Sequence, residues 1–126
     1  MKSLISVTSR ARLGLILVSE LAHADALVSI ETVAGKAKAS RKFLELVAGD
    51  LRRAGIVVGV RGAAGGYKLA RDAKSVTVAD VLNAVEGQME RAVCTAVSHK
   101  TDIGIISKVQ GQVMATLMNT SIADIV

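Results

Sequence analysis

The chain has 126 residues, a length that fits one domain, and 51% of them are apolar. Alanine (19) and valine (17) supply more than half of that apolar set, only Phe43 and Tyr67 are aromatic, and proline is absent. With a net charge of only +5 and a single cysteine, this is neither a disordered tail, a disulfide framework nor a four-cysteine zinc site. Small aliphatic side chains build a shallow core, which suggests a helical fold completed by a partner subunit.

Taken in chain order, Ser9 is placed to cap a first helix over residues 10–23. Its apolar residues run most of the way round, pointing to burial on more than one side. Ser29 caps a short second helix (30–35). Ser40 caps a third (41–54), with Phe43, Leu44, Val47, Ala48 and Leu51 as its inner stripe and Gly55 after its end. Residues 56–60 are strand-like, 61–66 form a glycine-rich tip and 67–70 return, which together predict a β-hairpin. Thr77 and Asp80 resemble a capping box opening a helix over 78–86. Residues 87–101, with Cys94 and His99, read equally as loop or partial helix. Helical periodicity resumes over 102–118, where Ile103, Ile106, Val109, Val113 and Leu117 form one stripe beside Ile105, Met114 and Met118. That stripe is wide for a helix with few domain partners left, and it is the first choice for a subunit interface. Ser121 is placed to cap a last turn.

The charge is confined. Between Lys36 and Lys74 ten basic residues face three acidic ones, +7 over 39 residues, while the remaining 87 carry −2. A confined basic region is a candidate footprint for a polyanion, although a merely solvated face has the same composition. Three helices followed by a glycine-tipped hairpin is the order of a winged helix-turn-helix, in which the helix after Ser40 lies in a major groove. Arg41 and Lys42 then supply charge or base contacts, and Arg61 reaches the adjacent backbone or minor groove. The expected fold is mainly α with a small β-hairpin. Residues 1–86 form the winged helix-turn-helix domain, and 87–126 a linker and long C-terminal dimerisation helix.

Ser40-Arg41-Lys42-Phe43-Leu44, then Leu51 to Val57, and above all Val60-Arg61-Gly62-Ala63-Ala64-Gly65-Gly66-Tyr67-Lys68-Leu69-Ala70-Arg71, resemble the Rrf2 family of bacterial transcriptional regulators. The likeness continues through Val76 to Val81, Ala84 to Gly87 and Thr120 to Val126. It implies a homodimer on a near-palindromic operator, with a repressor-like role; the single cysteine and the expected lack of a signal peptide or membrane span make a cytoplasmic protein the expectation. In better known members three cysteines after the fourth helix hold an iron–sulfur cluster; other members lack it. Cys94 stands where the first of these is expected, and no second or third follows. The resemblance is therefore to cluster-free members, with no cofactor expected and a ligand set of Cys94, His99 and Asp102 the disfavoured alternative. Ala63 replaces a proline common in relatives.

The candidate DNA-binding residues are Ser40, Arg41, Lys42, Arg61, Gly62, Gly65, Gly66, Tyr67 and Lys68. Several have a plain structural reading beside them: Ser40 as a helix cap, the glycines as turn geometry, Arg41 and Lys42 as a solvated face; Arg61, opening a glycine-rich tip, has little structural work to do there. Tyr67 either stacks under the wing or bonds a phosphate. Cys94 is either an inert small apolar residue or a redox switch. No P-loop, nucleophile motif or paired-histidine site is present, so no catalytic or metal-binding residue is assigned. No signal peptide or membrane span is expected. The rival to a DNA-binding regulator is a winged-helix protein-interaction or sensing adaptor with weak DNA binding.

Overall fold

The first helix, α1 (Ser9–His23), begins one residue earlier than its serine suggests. In the computed structural model, which describes residues 8–24, 26–86 and 103–125, Thr8 is extended and its Oγ1 accepts from the Ala11 N–H at 3.1 Å. Thr8 also donates to Glu86 at the far end of the helical domain. Both residues are competent caps, and this tertiary contact favours the threonine. α1 buries Ala11, Leu13, Leu17, Val18 and Leu21, with Leu15 and Ile16 half-buried beside them.

α2 (Ile30–Ala37) is capped by Ser29, whose Oγ accepts from Thr32 N–H at 3.2 Å. It runs two residues past its expected end because Ala37 is buried in the core. Lys38 then stops it in a left-handed conformation, with φ 52°. α3 (Arg41–Arg53) follows immediately, so α2 and α3 form the expected helix-turn-helix.

β1 (Val57–Val60) and β2 (Gly66–Leu69) pair antiparallel, from Val57 opposite Leu69 to Val60 opposite Gly66. The hairpin is tied back by Val28, which exchanges hydrogen bonds of 2.9 and 2.8 Å with Tyr67. A 3₁₀ turn at Ala73–Ser75, which apolar periodicity does not reveal, is capped by Asp72. α4 (Val78–Glu86) opens with the expected reciprocal box: Thr77 N–H donates to Asp80 Oδ2 at 2.9 Å and Asp80 N–H to Thr77 Oγ1 at 3.0 Å.

α5 (Ile103–Asn119) and α6 (Ile122–Ile125) carry the chain back onto this unit. Ser121 and Asp124 repeat the capping box at 3.0 and 3.2 Å. The two boxes lie side by side: Val78 N–H donates to Thr120 O at 2.9 Å and Ile122 N–H to Val76 O at 2.7 Å. Ile122 is 1% exposed in the same core as Leu17, Leu44 and Val81. Met114 and Leu117 of α5 also pack on this core, while Met118 is exposed and Val113 half-buried. The side chains of Ile103, Ile106 and Val109, and the whole of Cys94 and His99, lie outside the described residues.

Candidate nucleic-acid interface

α3 is held by a stripe of four side chains, Leu44, Val47, Ala48 and Leu51, none of which is exposed. Burying each of the larger three stabilises the helix's position by about 1.5–3 kcal/mol. This 3.6-residue spacing turns Arg41, Lys42, Glu45, Leu46 and Arg52 outward, and all five are exposed. Ser40 caps the helix, accepting from Phe43 N–H at 3.0 Å. Its hydroxyl proton remains available to a further acceptor such as a phosphate oxygen. Asp50 pins the opposite side, pairing with Arg53 and with Arg10 of α1. Arg10 in turn donates from Nε to Val85 O at 3.0 Å, so one guanidinium ties α1, α3 and the end of α4 together.

The wing owes its shape to glycines that need the absence of a Cβ. A Cβ on Gly65 would lie 2.1 Å from Val60 O, and one on Gly66 would lie 2.6 Å from Val28 O. Gly65 therefore lets the tip close, with Gly65 N–H donating to Gly62 O at 2.9 Å, and Gly66 lets β2 meet Val28. Tyr67 lies across the hairpin from Gly59, where an added Cβ would sit 3.1 Å from its ring. Its ring thus covers the gap a side-chain-free strand position leaves. Of the two roles open for Tyr67, the stacking contact is present.

Between the start of α2, the outer face of α3 and the wing runs an open groove of about 590 Å³, lined among others by Glu31, Arg41, Glu45, Arg52, Arg61 and Tyr67. The structure brings together Arg41, Arg61, Gly62, Gly65, Gly66 and Tyr67 of the expected set along this groove. Ser40 and Lys42 are exposed near it, at the first turn of α3. Lys68 instead lines a separate hollow with Leu21, Leu69 and Arg71. Arg52 also lines the groove, although its position near a helix end suits the helix dipole as well as a ligand. Its spacing of seven from Glu45 is the signal that could have found it.

The cations are not equivalent. Arg41 is held by two carboxylates, Glu31 at 2.6 Å and Glu45 at 3.1 Å. Lys42, Arg52, Arg61 and Lys68 have no ion pair among the described residues. The glutamates across from Arg41 came from no expected motif, since acidic residues in a basic region read as background.

Among the described residues no three His, Cys, Asp or Glu side chains gather as a metal would require, and no helix is long and apolar enough to cross a membrane.

A family model described as "Rrf2: Iron-dependent Transcriptional regulator" matches residues 7–126. The chain is similar to the HTH-type transcriptional regulator IscR of Cereibacter sphaeroides, 38% identical over 86 residues, 65% of this chain and 56% of that protein. It is 33% identical over 85 residues to the HTH-type transcriptional regulator CymR of Bacillus subtilis, 66% of this chain and 62% of that one. The matched stretch thus spans about three-fifths of these curated relatives. The fold superposes on the structure of B. subtilis CymR, a global cysteine regulator, with TM-score 0.81 and 25% identity, covering 96% of this chain and 95% of that one. It also superposes on T. potens IscR with TM-score 0.78 and 27% identity, covering 96% and 85%.

Iron of the cluster type is held by several thiolates, and one cysteine in 126 residues does not supply them, so the donor set does not fit such a group. The wing motif, the helix-turn-helix it is tied to and the match along almost the whole chain agree: the protein belongs to the Rrf2 family of transcriptional regulators, not to an enzyme family.

Proposed function

We propose that this protein is a sequence-specific DNA-binding regulator, repressor-like, acting in the cytoplasm as a homodimer on a near-palindromic operator. The observation that carries the reading is that the outer face of α3 and the wing tip open on one groove, along which Arg52 and Arg61 have no ion pair among the described residues. A duplex meets such an arrangement with its major groove on α3 and its phosphates or minor groove on Arg61. Ser40, Arg41, Lys42, Gly62, Gly65, Gly66, Tyr67 and Lys68 complete the proposed contact set. Residues 1–86 form the reading unit, whose core Leu117 and Ile122 also join, and 87–126 the linker and dimerisation region, with Ile103, Ile106, Val109, Val113 and Leu117 as its proposed interface. Relatives named as HTH-type transcriptional regulators support the assignment.

The second reading, a winged-helix protein-interaction or sensing adaptor with weak DNA binding, draws on Glu31 and Glu45, which neutralise Arg41 inside the groove. Selection of bound fragments from genomic DNA, followed by a salt titration of the best one, separates the two. A regulator yields an enriched near-palindrome whose affinity falls steeply with salt. An adaptor enriches no sequence and retains a protein partner instead.

A further inference from the structure

Leu46 is 57% exposed, the one exposed leucine among the described residues. It is absent from the half-buried side chains that pack on the core, whereas Phe43 of the same helix is among them. Isolated exposed apolar residues are ordinary on a protein surface. What distinguishes this one is its place. It sits midway along α3, four residues after Lys42 and three before Gly49, so these three share a strip of helix facing away from Leu44, Val47 and Leu51. The strip offers an apolar spot beside the exposed Lys42, with Arg53 further along held by Asp50. Gly49 adds no bulk there, and a Cβ at that position would meet only the end of Arg53.

The major groove presents apolar groups among closely spaced negative charges: the thymine C5-methyl is the apolar mark of a base edge there, and phosphates flank it. Hydrogen bonding is unavailable to leucine, so it distinguishes bases only through that methyl. Resting on the DNA-binding reading above, we propose that Leu46 is a specificity-determining residue that packs on a thymine methyl in each half-site. Lys42 contacts a neighbouring phosphate or guanine edge.

The test removes the methyl and nothing else. A duplex is selected from random DNA by the full-length protein, and each thymine of one half-site is replaced in turn by deoxyuridine. The wild-type protein is expected to bind one such duplex about threefold to tenfold more weakly than its thymine parent, and Leu46→Ala to bind both alike. Because Leu46 lies outside the core, Leu46→Ala is expected to keep the wild-type circular dichroism and salt slope. A flat uridine scan, or a loss at the same thymine that persists in Leu46→Ala, overturns the proposal while leaving DNA binding intact. A selection that enriches no duplex removes both readings.

Discussion

At the scale of single residues, the groove separates cations that composition makes equal. Arg41 begins bound to Glu31 and Glu45, so moving it to a phosphate exchanges one set of ion pairs for another. Arg61 has no such partner among the described residues and offers its full charge. Arg61→Ala is therefore expected to weaken binding to the selected duplex more than Arg41→Ala does. It should also lower the slope of log affinity against log salt by about one, as loss of one phosphate contact requires. Fluorescence anisotropy at several salt concentrations measures both. The glycines make a separate prediction. In Gly66→Ala the new Cβ would collide with backbone at Val28, which cannot rotate away as a side chain would. The expected cost is about 1–3 kcal/mol, read as a lower melting temperature together with weaker DNA binding, because the wing loses its tie to the helix-turn-helix.

At the scale of elements, the helices are placed by their ends as much as by their stripes. The boxes at Thr77–Asp80 and Ser121–Asp124 each satisfy two backbone donors and lie against one another. Thr77→Ala and Ser121→Ala are each expected to cost about 1 kcal/mol. Together they should depart from additivity, since the two sites share the bridge between residues 76–78 and 120–122. Thermal melts of the two single variants and the double variant give the coupling. Asp50 has a larger role than its exposed partners suggest: its carboxylate is 15% exposed and receives both Arg10 and Arg53. Asp50→Ala leaves two guanidiniums without it and is expected to destabilise by about 1–2 kcal/mol, with α3 rather than the wing loosened in hydrogen exchange.

Most of these elements were legible in the sequence, because capping and apolar spacing are local signals. Ser29, Ser40 and the Thr77 box start the helices that their positions suggest. The exceptions have non-local causes. Thr8 displaces Ser9 as a cap because Glu86 lies beside it, and α2 outlasts its expected end because Ala37 has a place in the core. Arg52 joined the site only when the hairpin folded across from it.

At the scale of the whole molecule, the abundance of alanine and valine lets thin elements approach closely, and the chain's tail completes the core. Ile122, in a segment whose own signals are only those of a short capped helix, is 1% exposed against helices formed far earlier in the chain. Removing it by truncation after residue 119 is expected to destabilise the reading unit itself and not merely any dimer. The proposed dimer makes a second prediction: light scattering should give twice the mass of one chain at micromolar concentration. Met118, 58% exposed on α5, is a suitable probe, and Met118→Glu is expected to weaken self-association about tenfold or more.

The sequence by itself determined the starts of the second, third and fourth helices, the hairpin, the basic character of one third of the chain and, through the Arg61–Tyr67 motif, the family. These depend on residues close together along the backbone, where spacing and turn chemistry act. Only the tertiary structure decided which cations are paired, since Glu31 meets Arg41 across a helix-turn-helix. It alone exposed Leu46 on the outer strip of α3 and seated Ile122 in the core. Charge pairing and burial depend on distances through space, and those exist only once the elements have packed.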